Sequence, residues 1–199
     1  MKVTDAIEKR VSVRHYDPNL KVNVDKILDV FDSVRHIPVA GNVFNLKFIV
    51  ISEQAVKDAI AEAALQQSFL SDAQFLIVIC SNPDSCVLRY GEELGQKYAR
   101  QQAGAAIQSI LLLLTEKRLD SCWVGAFDEE KMRRILYIPD NVNVEAIITV
   151  GKRSAVETAG KSQTRKPTVE AFAFFNKWGN VYLVPPKRPT GDYELFIGR

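Results

Sequence analysis

Histidine and cysteine are scarce in this chain of 199 residues. There are two histidines, His15 and His36, and three cysteines, Cys80, Cys86 and Cys122. The histidines have no metal-ligand spacing, and no C-x-x-C pair is present, so a zinc or iron centre is not expected. An odd number of cysteines without a framework spacing reads as reduced thiols, as in a cytoplasmic protein, with Cys80 and Cys122 inside apolar runs and therefore core. The G-x-G-x-x-G dinucleotide fingerprint is missing, which argues against a separate Rossmann site. No apolar run approaches the roughly 20 residues of a membrane helix, and the opening Met1-Lys2-Val3-Thr4-Asp5 does not read as a secretory signal. Strong charge of either sign is also lacking: the net charge is +2 with a pI near 8.4, too mild to point to nucleic acid or a membrane surface.

What is present is an ordinary globular composition, 47% hydrophobic and 25% charged, enough for a sizeable core without metal or disulfide support. Thr4 is placed to cap a short helix over Asp5 to Lys9. Apolar residues from Val24 to Val34 recur at helical spacing, and Pro38 to Gly41 break the pattern. Leu46 to Ile51 reads as a strand, Glu53 to Gln66 as an Ala-rich helix, and Phe75 to Cys80 as a strand buried on both faces. The longest helical signal runs from Glu92 to Lys117. Its second half, Ala103 to Leu114, is apolar almost all round, so it lies either in the middle of the core or at a dimer interface. Cys122 to Phe127 reads as extended, Asp128 as the cap of a helix through Leu136, and Val144 to Val150 as a buried strand. Val169 to Trp178 is amphipathic. Beyond it Pro185, Pro186, Pro189 and Gly191 mark an irregular tail that still carries Tyr182, Tyr193, Leu195 and Phe196, residues suited to packing on a surface. Strands alternating with single and paired helices give an α+β or mixed α/β class.

The run Arg10-Val11-Ser12-Val13-Arg14 places two guanidiniums and a hydroxyl on alternate residues. In extended backbone alternate side chains point the same way, so all three can face one ligand. Two planar forks and a short donor suit a phosphate with a polar or planar group beside it, although a solvated basic turn would carry the same residues.

Taken with other segments in order along the chain, this run resembles the nitroreductase family of FMN-dependent oxidoreductases. The segments are Arg10, Ser12 and Arg14 followed by Tyr16; Pro38-Val39-Ala40-Gly41-Asn42, similar to a P-S-x-G-N loop; a glutamine before the second strand, Gln66 or Gln67; Arg89-Tyr90-Gly91-Glu92; Cys122-Trp123-Val124-Gly125-Ala126-Phe127-Asp128, close to C-W-I-G-A-F-D; Leu136-Tyr137-Ile138-Pro139 with a strand into Gly151-Lys152; and Arg165-Lys166-Pro167. The likeness spans roughly residues 3 to 179. It departs after Asn42: where the family often continues N-x-Q-P-W, this chain has Val43-Phe44-Asn45-Leu46, and Val39 stands in place of the usual serine.

The resemblance implies a central, mainly antiparallel sheet flanked by helices, in a domain over residues 1–180 with a C-terminal extension over 181–199. It implies FMN held by Arg10, Val11, Ser12, Arg14, Pro38, Val39, Asn42, Gln66, Gln67, Trp123, Val124, Gly125, Lys161 and Arg165. Within that set Arg10 and Arg165 serve the phosphate, with Ser12 helping and Lys161 as a third group. Arg14 sits at the pyrimidine edge, where a cation raises the reduction potential. A backbone N–H of Gly125 points at N5, the glycine letting the chain come close to the ring. It further implies NADH or NADPH as co-substrate, a nitro compound, quinone or similar small molecule as acceptor, no catalytic side chain, and a homodimer with FMN at the interface, the tail packing on the partner. Two other readings stand beside this one: a non-catalytic flavin-binding or sensor protein, and a specialised flavin reaction such as dehalogenation on the same fold.

Overall fold

A computed structural model describes residues 1–155 and 166–180. These fall into two units, the first within Met1–Gly160 and the second within Lys161–Arg199.

The first unit is built on a four-stranded, wholly antiparallel sheet in the order β1-β2-β4-β3, from β1 (Leu46–Ile51), β2 (Phe75–Ser81), β3 (Asp120–Val124) and β4 (Asn143–Gly151). β2 is buried at every position because both sheet faces are covered. Phe75, Ile77 and Ile79 point to one core cluster, and Leu76, Val78 and Cys80 to the other, as the two-residue period requires. Full burial of such side chains stabilises the fold by about 1.5–3 kcal/mol each. β4 keeps both clusters supplied through a bulge. Its register shifts opposite Ile79 and Cys80, so that Val144 joins the cluster of Leu76, Val78 and Cys80 and Ala146 that of Phe75, Ile77 and Ile79, with Glu145 between them.

One face carries α2 (Asp25–Val34) and the long α6 (Glu92–Glu116); Phe31 of α2 stacks on Phe48 of β1 at 4.9 Å. The other face carries α3 (Gln54–Ala63), the single-turn α4 (Phe69–Asp72) and α7 (Glu129–Leu136). Two short helices, α1 (Val3–Lys9) and α5 (Asp84–Tyr90), pack against α6. That explains the nearly all-apolar half of α6. Ala103, Ala106, Ile107, Ile110, Leu111 and Leu114 are buried within one chain, and Leu112 and Leu113 are half-buried. Among the described residues no helix is long and apolar enough to cross a membrane. Cys80, Cys86 and Cys122 are free and buried.

Several boundaries differ from the sequence reading. α1 starts at Val3, not Asp5, because the Asp5 carboxylate accepts the Lys2 N–H at 3.2 Å and caps the turn that Thr4 was expected to cap. α3 stops at Ala63 and not Gln66, since Leu65 and Gln66 turn left-handed, with φ of +58° and +59°, to enter α4. β3 ends at Val124, so Gly125 to Phe127 leave the sheet instead of extending it. Among the described residues of the second unit a 3-10 turn spans Val169–Ala171, where the sequence predicts an amphipathic stretch from Val169 to Trp178.

Candidate functional site

The segment after α1 is tied to the β3 edge by backbone. Ser12 pairs with Ser121 in a parallel bridge, and the Val13 N–H donates to Ser121 O at 3.0 Å. Asp17 N–H donates to Lys152 O at 2.8 Å and Ser154 N–H to His15 O at 2.9 Å. Tyr16 pins this arrangement from inside. Its hydroxyl donates to Val13 O at 2.8 Å and lies 2.6 Å from Thr149 Oγ1, which in turn accepts the Cys122 N–H at 3.0 Å. The ring needs Gly151: a β-carbon there would come within 2.6 Å of Tyr16 Cδ1.

The alternation expected for residues 10 to 14 follows from this pinning. Val13 is fully buried and Val11 packs against the same cluster, while Ser12 and Arg14 are exposed. Arg10 Nη1 donates to Ser12 Oγ at 3.5 Å. The Arg14 guanidinium lies 5.9 Å from the centre of the Phe69 ring. Phe69 is a neighbour that sequence reasoning missed; it follows Gln67 by two residues, but no periodic signal marks α4.

Gln67 joins two further pieces. Its Nε2 donates to Ala64 O at 2.8 Å and to Ala126 O at 3.1 Å, and the Asp128 N–H donates to Ala63 O at 2.8 Å. Asp128 Oδ1 accepts the Lys131 N–H at 3.0 Å, capping α7 as the sequence predicts. The turn after α3 therefore holds the turn after β3. Gln66 is exposed at its left-handed position. Trp123 projects from the α6 side of β3 and is 44% exposed, whereas Val124 is core. Beyond them Gly125 is open: a β-carbon there would meet nothing within 4 Å.

Arg10, Ser12, Arg14, Gln67, Trp123, Val124 and Gly125 thus gather at one edge of the sheet. Pro38, Val39 and Asn42 do not join them. They precede β1, the strand at the edge of the sheet opposite β3. Lys161 and Arg165 lie outside the described residues, as does the tail from 181 to 199.

A separate cleft of about 540 Å³ is lined by Lys9 and Val11, which alternate with Arg10 and Ser12, and by Glu116, Arg118, Asp120 and Arg153. Three of its charges, Glu116, Asp120 and Arg153, already have uses within the fold. Arg153 forks onto Asp120, with Nε at 2.8 Å from Oδ1, and the terminal amine of Met1 is 3.9 Å from Glu116. The buried Cys80 thiol is pushed up to about 11, by desolvation first and then by the Glu145 charge, so it is no nucleophile at neutral pH. Among the described residues no group of His, Cys, Asp and Glu could hold a metal.

The geometry gives the edge a simple chemical character. It combines two guanidiniums, a hydroxyl and an amide anchor with an aromatic face and a side-chain-free stretch of backbone. Such a surface can bind an anion beside a flat ring. The chain matches the sequence profile of the Nitroreductase family over residues 7–69 and 63–152. It is 22% identical over 192 residues to protein DrgA of Synechocystis sp., covering 84% of this chain and 91% of that one. It is 27% identical over 172 residues to an NADH dehydrogenase of Thermus thermophilus, covering 72% and 82%. The crystal structure of a nitroreductase family protein from Clostridium novyi NT superposes with a TM-score of 0.71 at 25% identity, over 92% of this chain and 97% of that one.

Proposed function

The chain belongs to the nitroreductase family, and from that premise we propose that it is an FMN-dependent oxidoreductase that draws on NADH or NADPH to reduce a nitro compound, quinone or similar small acceptor. The observation that carries the reading is the β3 edge itself, where Arg10, Ser12 and Arg14 fan out beside the open backbone of Gly125.

The donor set fits FMN. Arg10 has no carboxylate within ion-pair distance among the described residues, so its guanidinium is available to a phosphate, with Ser12 Oγ beside it. Arg14 supplies fixed positive charge over Phe69, suited to the pyrimidine edge of a flavin. Gly125 keeps the chain end of β3 free of a side chain, so a ring can approach the backbone. When bound, FMN supplies the hydride-transfer chemistry that no side chain here provides. The protein's part is to bind, to orient, and to tune the ring with charge.

The reading extends to residues outside the first edge. Lys161 and Arg165 would add charge to the phosphate. Pro38, Val39 and Asn42, at the other edge, would serve a flavin held by a second subunit, which makes the active form a homodimer with the 181–199 tail laid on its partner. The 44% exposed Trp123 is consistent with a surface that a second chain or a ring covers.

The absorption spectrum of the purified protein, before and after anaerobic NAD(P)H, tests the function. The expected result is a yellow protein that bleaches. A yellow protein inert to both nucleotides would be a flavin binder and not this enzyme. A colourless protein that cannot take up FMN would end both readings.

A further inference from the structure

The loop from Pro38 to Asn42 adopts a conformation it would not choose alone. Gly41 and Asn42 are consecutive left-handed residues, with φ of +57° and +59°. Glycine adopts this freely, but asparagine does so at some cost, and the loop's own hydrogen bonds are two turn contacts, Asn42 N–H to Val39 O at 3.4 Å and Val43 N–H to Ala40 O at 3.1 Å. The rest of the restraint comes from α5. Arg89 Nη1 donates to Gly41 O at 2.8 Å, and its guanidinium lies 5.8 Å from the centre of the Tyr90 ring. Tyr90 meets Tyr98 of α6 edge-on at 5.0 Å, so the long helix backs the cradle. The fit is close: a β-carbon on Gly41 would lie 2.3 Å from Tyr90 Oη and 2.9 Å from Arg89 Nε.

One turn earlier, the same short helix holds the far end of the loop. Cys86 stands three residues before Arg89, on the same helical face. Its sulfur accepts from Asn45 Nδ2 at 3.9 Å and from Gln102 Nε2 of α6 at 3.7 Å. Asn45 O accepts the Asn82 N–H at 2.9 Å. Asn45 and Gln102 are 5% and 4% exposed, and their amide oxygens have no hydrogen-bond partner among the described residues. An apolar pair would avoid that cost, so the polar attachment fixes position more than it adds stability.

We propose that α5 is a clamp that sets the 38–42 loop for the cofactor site, with Arg89 and Tyr90 as positioning residues acting through Gly41 on Asn42. The proposal rests on the flavin reading above. Arg89 touches no cofactor in this scheme; it fixes the carbonyl of the residue before the amide that does. This chain needs such a clamp because Phe44, Asn45 and Leu46 stand where the family pattern often has Q-P-W, and a proline there would stiffen the loop by itself.

The test compares the full-length protein with Arg89→Ala, Arg89→Lys and the pair Gly41→Ala and Tyr90→Phe, singly and combined. Two measurements are made: amide exchange over residues 39–45 without cofactor, and FMN affinity by fluorescence titration, with the melting temperature as control. Loss of one charged donor to a carbonyl, discounted for exposure, corresponds to about a tenfold effect. Arg89→Ala is expected to speed loop exchange and weaken FMN by about that factor at an unchanged melting temperature. Arg89→Lys, which keeps a donor, is expected to recover most of both. Gly41→Ala is expected to weaken FMN, and adding Tyr90→Phe, which removes the nearest clashing atom, to recover part of the loss. Unchanged exchange in Arg89→Ala would overturn the clamp. Faster exchange with unchanged FMN affinity would overturn its link to the site. A wild-type protein that binds no FMN would overturn the flavin reading, and that link with it, while the exchange result would still decide the clamp.

Discussion

The two edges of the sheet hold their exposed polar groups by opposite means. At the β3 edge the arginines ride on a backbone that is itself paired into the sheet, through Ser12 and Ser121, Tyr16 and Arg153, and a buried tyrosine beneath. At the β1 edge the loop makes little backbone pairing and is held by side chains reaching from α5. A backbone-paired segment moves only when the core moves, so mutations of its exposed side chains change binding and not shape. A side-chain-held loop moves when one residue is lost, so there shape and binding change together. The difference separates groups that supply charge from groups that supply position.

The largest effect should come from removing charge at the paired edge. Arg10→Ala combined with Arg165→Ala is expected to weaken FMN at least a hundredfold, since each charge-assisted contact contributes about 1.5–3 kcal/mol. The melting temperature of the apoprotein should stay as it was. Titration of the apo double variant with FMN checks this, and unchanged affinity would place the phosphate elsewhere.

Next in size is assembly. Deleting residues 181–199 is expected to shift the protein from dimer toward monomer at low micromolar concentration and to loosen FMN with it. Sedimentation velocity decides this, and a full-length monomer that holds FMN would break the shared-site arrangement.

Two glycines at the same edge sharpen the contrast between core and surface. Gly151→Ala drives a methyl into the Tyr16 ring and should cost about 1–3 kcal/mol, as overpacking does. Gly125→Ala meets open space, should stay within about 0.5 kcal/mol of wild type, and should still weaken FMN. Thermal unfolding of both, beside FMN titration, reads the two effects apart.

Arg14→Ala should keep part of the FMN but lower its midpoint potential and slow reduction by NAD(P)H. A cation about 4 Å from developing charge is worth about 1–4 kcal/mol across the dielectrics of such a site. A potential equal to wild type in the loaded variant would remove Arg14 from that role.

The smallest effect lies in the core. The folded thiol of Cys80 is raised from 9.0 to about 11, so it binds its proton more tightly than the unfolded chain does. Its contribution to stability is complete below pH 9 and is lost as the pH rises toward 11. Lys57, lowered mainly by burial where its ammonium donates to Ala73 O at 2.7 Å, works the other way in the window below 10.5. Cys80→Ala should therefore flatten the alkaline fall in unfolding free energy, measured by denaturant titration between pH 8 and 10.5.

The legible parts of this fold were those written in local pattern. β2 announced itself as an unbroken apolar run, α6 as 25 residues of helical spacing, and α7 by its aspartate cap. The alternation of Arg10, Ser12 and Arg14 was legible for the same reason. What local pattern could not reveal was set by contacts distant in sequence. The end of α3 is tied down where Ala63 O accepts the N–H of Asp128, 65 positions later. Phe69 matters only because Arg14 lies over it, and Gly41 only because Tyr90 fills the space beside it. That Gln67 ties the turn after α3 to the turn after β3 needed the position of Ala126.

The hydrogen bond between Tyr16 and Thr149 joins residues 133 apart. During synthesis, the segment that carries Arg10 and Arg14 is made before β3 and β4, and it has nothing to pair with until they exist. At ordinary rates of translation that wait is on the order of ten seconds. Closing so long a loop is a slow, late event in folding, with little reward before the last strand arrives. Residues 10 to 16 are thus among the last of this unit to find their places, and cofactor capture at the β3 edge would report that the whole sheet is complete.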